Sequence, residues 1–234
     1  MDEIPIIETI DNDGFVPVLN PQFVVLGMLE EYGGRLALEG GSTVEGFYST
    51  EGPLADVFAK YLGLYGRSLG IDPAAISIRH GATGSSSVES KVLNAQVNAL
   101  YRCAFEDDRF ITMEDGRTHR CTHVALGIED FPRKSSIRYT PSEMNPRFSY
   151  LYGVILRFGQ DGLVVKMANA SRKVELIKRV LEDLDVEWIE HRYTVLTAPI
   201  DQRIAFGADE RLATFLQSAL VERAEAFAAA ASRG

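Results

Sequence analysis

The chain has 234 residues, is 46% hydrophobic and 24% charged, and carries 24 basic against 33 acidic residues for a formal net charge of −9. That length holds one large domain or two small ones around a substantial core, and no apolar run reaches the ~18 residues of a membrane span. The acidic surplus runs against a protein whose whole surface tracks phosphates, and leaves room only for a local basic face.

Residues 1–19 alternate Ile, Val and Pro with acids around Asp11-Asn12-Asp13-Gly14, which reads as an extended arm with a turn. Its start, Met1-Asp2-Glu3, is acidic where a secretory signal is basic. Two cysteines do not make a disulfide scaffold, so a reducing cytoplasm is expected. A helix is predicted from Pro21 to about Tyr32, with Asn20 as its cap and Pro21 at its first position. Residues 35–38 and 44–48 flank Gly40-Gly41-Ser42 and read as a hairpin. From Pro53, the residues Leu54, Val57, Phe58, Tyr61, Leu62 and Tyr65 form one helical stripe that Gly70 closes. A strand is expected over 74–79. After the small polar loop 81–87, Ser86 and Glu89 have the spacing of a capping box, and a helix is predicted over 87–104.

The run Arg109 to Leu126 turns at Glu114-Asp115-Gly116 and reads as a second hairpin. A Pro- and Ser-containing connector follows over 127–144. A further helix is then predicted from Asn145-Pro146. Residues 163–167 form a short strand, Ser171 caps a helix, 186–196 and 200–206 are strands, and Asp209 starts a last helix that frays after Phe227.

Two of these helices are near copies. Asn20-Pro21-Gln22-Phe23 and Asn145-Pro146-Arg147-Phe148 both run through apolar residues to a Gly, with a second Gly six positions on: Gly27 and Gly33, Gly153 and Gly159. Both halves then read helix, strand region, helix, strand region, helix, an internal repeat covering nearly the whole chain. The helix pair resembles the signature helices of the LAGLIDADG homing endonuclease family, whose motif has Gly at its third and ninth positions. Val25 to Gly33 and Leu151 to Gly159 fit that frame. The resemblance implies an α+β fold, a pseudo-two-fold pair of α/β repeats packed through two Gly-containing helices, with Gly27, Gly33, Gly153 and Gly159 at the helix interface. It implies a monomer whose pseudo-two-fold is internal. The expected boundaries are 1–104 for the arm and first repeat, 105–144 for the hairpin and connector, and 145–234 for the second repeat.

The family's metal-binding carboxylate belongs at the eighth motif position. Tyr32 and Phe158 stand there, and neither holds Mg²⁺. Glu30, Glu31 and Asp161 are near but out of register, and are the candidate catalytic acids if cleavage survives. Only about eleven residues separate Gly159 from Ser171, too few for the family's long DNA-reading ribbons. The resemblance therefore implies the fold and a non-catalytic, DNA-binding descendant. Double-stranded DNA would lie on a sheet face around Arg35, Lys166, Arg192 and Arg203. Two other readings stand beside it: a structural or adaptor protein, viral in one version, working through protein partners, and a still-active Mg²⁺-dependent endonuclease.

Cys103, His119, Cys121 and His123 lie within 21 residues. On a strand the last three share a face, a three-ligand arrangement for Zn²⁺ with Cys103 as a fourth. The alternative is an exposed hairpin face with a buried Cys on each element. His80 to Ser87 has small residues leading toward a helix but lacks the Gly-Lys-Ser/Thr ending of a phosphate loop. Lys166, Arg172, Lys173, Lys178 and Arg179 make the second half locally basic, and their interleaved acids suggest a solvated, salt-bridged surface.

Overall fold

A computed structural model describes residues 17–30, 35–37, 41–100, 102–103, 110–112, 118–122, 124–125, 141–160, 163–168, 170–186, 188–194 and 201–232; within these, the side chains of 35–37, 102–103, 110–112, 118–122, 124–125, 141–144 and 171–172 lie outside the description. The described residues form a mixed α+β structure.

The central helix is α1 (Pro21–Met28). The Asn20 carboxamide accepts from the Gln22 N–H at 3.1 Å, and Pro21 takes the first position, where an N–H would have no partner. Phe23, Val24, Val25, Leu26 and Met28 are all buried, so the helix is apolar on every side and belongs in the middle of the molecule. It stops at Leu29, short of the expected Tyr32, because its last carbonyls are taken by side chains instead of a further turn. The Lys173 ammonium donates to Leu26 O and Leu29 O at 3.2 and 2.8 Å, and the Arg157 guanidinium donates to Met28 O at 2.9 Å.

The second Gly-containing helix, α4 (Pro141–Phe158), begins four residues before Asn145 and keeps Pro146 inside it. Asn145 is thus not a cap. Its Oδ1 accepts from the Val18 N–H, and the Ser149 hydroxyl, bonded to Asn145 O, accepts from the Asn20 N–H. The chain entering α1 is thereby fastened to α4.

Two successive runs share one order. The first is α1, β1 (Arg35–Ala37), β2 (Thr43–Phe47), α2 (Gly52–Ser68), β3 (Ser77–His80), β4 (Ser86–Glu89) and α3 (Lys91–Ala99). Between the runs lie β5 (Arg102–Cys103), β6 (Phe110–Thr112), β7 (Thr118–Thr122) and β8 (Val124–Ala125). The second run is α4, β9 (Gly159–Gln160), β10 (Val164–Ala168), α5 (Ser171–Asp183), β11 (Ile189–Thr194), β12 (Asp201–Phe206) and α6 (Glu210–Ala231). The sheets repeat as well. One has the order β2-β4-β3 and the other β9-β10-β12-β11, every pair antiparallel.

Three local expectations are corrected. Residues 35–49 are not a hairpin: β1 pairs with β7 and β2 with β4. Ser86 and Glu89 are not a capping box but strand β4; the cap is Ser90, whose hydroxyl accepts from the Leu93 N–H at 3.3 Å. Ser171 is the first residue of α5, after Ala170. The hairpin β6–β7 and the strands β10, β11 and β12 fall where the alternation places them.

The core gathers around α1 and α4, with α2 and α6 packed against them. Phe58 and Leu62 of α2, Tyr150 and Ile155 of α4, and Phe215 and Leu216 of α6 are fully buried in it. Phe215 meets Phe148 edge-on at 5.2 Å and Tyr152 at 5.4 Å, an arrangement that ring quadrupoles favour.

Candidate functional sites

The crossing of α1 and α4 is a backbone contact. A Cβ on Gly27 would lie 2.9 Å from the Gly153 Cα and closer still to Tyr150 O; a Cβ on Gly153 would lie 3.1 Å from the Gly27 Cα and closer still to Val24 O. Only glycine permits this approach on either helix. Gly159, the first residue of β9, sits elsewhere, against Ile155 O near the end of α4 and the Leu220 side chain of α6. Gly33 lies outside the described residues.

The C-terminal ends of the two helices meet at a buried charge. The Arg157 side chain is fully enclosed. It donates to Met28 O and Gly46 O, each at 2.9 Å, and to Glu51 at 3.1 Å. Glu45 and Glu30 lie 3.3 and 3.4 Å away, and the guanidinium stacks 4.5 Å from the Phe47 ring centroid. Three carboxylates thus converge on one cation. Burial works against the guanidinium charge, but Glu45, Glu51 and Glu30 outweigh it and hold its pKa above the ordinary value. Glu30 is pushed above the usual carboxylate range, first by burial, against the pull of Arg157, and then by repulsion from Glu45 and Glu51. Arg157 stood in plain view in the second motif helix as a lone cation in an apolar run. Such a residue must find buried partners, and that was the available signal.

Lys173 is a correction of a different kind. Expected on a solvated basic surface, it is fully buried, bonded to the end of α1 and set 5.4 Å from the Tyr150 and Phe158 ring centroids.

On the sheet of the second run, Lys166, Arg203 and Arg192 stand directly opposite one another across three strands: Lys166 pairs with Arg203, and Arg203 with Arg192. They project from the face opposite the buried Val165, Ile204 and Phe206. With Gln160, Thr194 and Asp201 they line a shallow depression of about 410 Å³. Lys166 is held by Asp201 at 3.1 Å and Arg192 by Glu190 at 2.6 Å; among the described residues Arg203 has no ion pair. Like charges placed opposite on neighbouring strands repel, and the Asp201 and Glu190 carboxylates offset part of that repulsion for Lys166 and Arg192. Arg35 is on β1, in a different sheet from these three.

On the sheet of the first run, the Glu89 carboxylate accepts from Ser42 at 2.7 Å, Ser87 at 3.1 Å and Arg79 at 3.3 Å. The Ser42 hydroxyl, with Ser87, Arg79 and Thr43, holds its pKa below the usual carboxylate value against the opposing effect of burial. The loop 81–85 turns through Gly84, whose φ is +81°. His80 Nδ1 lies 3.1 Å from the Ser86 hydroxyl, an ordinary cross-strand pair.

Glu31, Asp161 and His123 lie outside the described residues, as do the side chains of Cys103, His119 and Cys121. The backbone sets Cys103 on β5 opposite Val124, and His119 and Cys121 on β7 opposite Ile111 and Leu36. Among the described residues, no group of three His, Cys, Asp or Glu side chains is placed to hold a metal ion, and no helix is long and apolar enough to cross a membrane. No family model matches the chain, and no curated protein matches its sequence.

Proposed function

We propose that this protein is a non-catalytic nucleic-acid-binding protein, similar in plan to the LAGLIDADG homing endonucleases, that contacts duplex DNA through a sheet face. The observation that carries the reading is the row Lys166–Arg203–Arg192, three cations in register on one exposed face of a chain whose net charge is −9. A concentrated basic row on an acidic protein is the footprint of a localised polyanion contact. The glycine-to-glycine crossing of α1 and α4 and the repeated element and sheet order support the family resemblance. Fold likeness alone warrants little about activity, so the weight rests on the cationic face. The non-catalytic part of the reading is supported by the helix ends. There Glu30 is engaged by Arg157 and, at 3.4 Å, by the Tyr48 hydroxyl, and a buried guanidinium fills the space between the carboxylates.

The test is a mobility shift of the purified protein on a mixed duplex pool, across a salt series with Mg²⁺ present. Salt-sensitive binding without cutting, lost when Arg192 and Arg203 are both changed to Glu, is the expected result. Cutting would restore the endonuclease reading and make Glu31→Gln and Asp161→Asn the next variants. A second reading, an adaptor that works through protein partners, is favoured by the acidic balance and by the half-exposed Trp188 and Tyr193 on and beside β11. It takes over if no duplex is bound even at low salt.

A further inference from the structure

The two runs place equivalent strands in equivalent positions, and their outer faces differ in charge. In both sheets a central strand lies between the strand that precedes the middle helix and the strand that follows it: β4 between β2 and β3, β12 between β10 and β11. On the first sheet the row Gly46–Ser87–Arg79 runs in register across the strands that correspond to those carrying Lys166–Arg203–Arg192. Each row borders a depression of similar size, about 370 Å³ in the first run and about 410 Å³ in the second. Among the described residues the first is lined by Glu30, Glu45, Tyr48 and Ser85 beside that row, and the one cation there, Arg79, is bonded to Glu89. Among the described residues the second is lined by three cations and one acid, with Lys166 paired to Asp201, Arg192 to Glu190, and Arg203 to none.

We propose that only the second run touches nucleic acid, so that the protein binds one side of a duplex through about three phosphates and leaves the first run out of the interface. This inference rests on the DNA-binding reading above. Strands lie about 4.8 Å apart, so the cationic row spans about 10 Å of backbone, within the ~12 Å width of a major groove. A phosphate strand seated there meets Lys166, Arg203 and Arg192 together, with Arg203, which has no ion pair among the described residues, at the centre of the row. The same strand carried onto the first run would meet the Glu30 and Glu45 carboxylates that line its depression, and like charge repels phosphate. The acidic depression excludes phosphate from a surface whose shape repeats that of the basic one. The predicted footprint is half of what a symmetric two-repeat binder covers, and the site has no need of a palindrome.

The experiment is a fluorescence-anisotropy titration of the full chain with labelled duplex DNA over a salt series, for the wild type, Arg203→Gln, Arg192→Gln and Arg79→Gln. All three positions are exposed, and thermal melts confirm that each variant folds. The wild type should show a log–log salt slope of about −3, since each neutralised phosphate contributes about 0.9. Arg203→Gln and Arg192→Gln should each bind about tenfold weaker and flatten the slope by about one, while Arg79→Gln binds as the wild type does. A wild-type slope near about −6, or an Arg79→Gln loss equal to that of Arg203→Gln, would show both runs in contact and overturn the one-sided interface while leaving DNA binding intact. No binding by the wild type at the lowest salt would overturn the DNA-binding reading itself.

Discussion

Gly27 and Gly153 meet backbone to backbone where α1 crosses α4, each filling the space a side chain on the other would need. Alanine at Gly27 gains about 1 kcal/mol of helix propensity. It also drives a methyl into Tyr150 O and the Val154 N–H, atoms that cannot rotate away. Overpacking of that kind costs about 3 kcal/mol or more. Gly27→Ala should therefore lose about 2 kcal/mol or more in urea unfolding. Gly46→Ala is the control, because nothing lies within 4 Å of a Cβ there; its change should stay within about 0.5 kcal/mol.

Removal of Arg157 leaves three carboxylates around an empty centre. Arg157→Met should cost about 3–5 kcal/mol, the usual penalty for leaving a buried charge uncompensated. Arg157→Lys should not rescue it, since an ammonium cannot span Met28 O, Gly46 O and Glu51 at once. Glu45→Gln added to Arg157→Met should recover part of the loss. A double-mutant cycle showing no coupling between positions 45 and 157 would refute the account of this centre.

Glu30 and Glu89 should shift stability with pH in opposite directions. The pKa of Glu30 is raised in the folded protein, so its charge is a burden that grows as pH rises from the unfolded carboxylate value through the folded one. Glu30→Gln should equal or exceed wild-type stability at neutral pH, and the difference should shrink as the pH falls toward 5. The pKa of Glu89 is lowered, so its stabilisation is complete above the unfolded value and is lost as the pH falls through the folded one. Glu89→Gln should be less stable than the wild type at neutral pH and should flatten the acid limb of the curve. Melts from pH 3 to pH 8 read both signs.

Glu222 joins α6 to the rest of the core. One of its oxygens accepts from Tyr61 at 2.8 Å and Tyr152 at 2.7 Å, and the other pairs with Lys60 at 2.8 Å. Glu222→Ala strands two buried phenols and should cost about 2–4 kcal/mol. Burial, followed by the neighbouring Tyr152 and Glu222 charges for Tyr61 and the Glu222 charge for Tyr152, holds both phenols far above the ordinary value of 10.0. The folded protein keeps these protons where the unfolded chain releases them, so wild-type stability should fall as pH rises past about 10. The double variant Tyr61→Phe, Tyr152→Phe should decline less steeply in the alkaline range, Tyr48 and Tyr65 keeping a part of the effect, which a pH-scanned melt would show.

The order of helices and strands was legible in the sequence because its signals are local. Asn20 and Pro21 start α1, the stripe from Leu54 to Tyr65 marks α2, and alternation marks β10 and β12. The twin motifs also revealed Gly27 and Gly153 as equivalents. Pairing was less legible. Residues 35–49 carry a sound hairpin signal, yet β2 joins β4, because a short strand takes whichever edge the core supplies. The fate of charge was the least legible. Arg157 lies 106 residues from Glu51 and 129 from Met28, and Lys173 lies 144 from Leu29. Burial, pKa and partner choice depend on groups brought together across such distances, and no local pattern encodes them. The sequence by itself marked most of the helices and strands, β4 read as the start of α3 excepted, and showed that they come in two similar runs. The tertiary structure decided which cations are enclosed as internal counter-ions, as Arg157 and Lys173 are, and which stand in a row facing solvent, as Lys166, Arg203 and Arg192 do. The physical reason is that a charge is shaped by its desolvation and its neighbours, and both are properties of the folded chain.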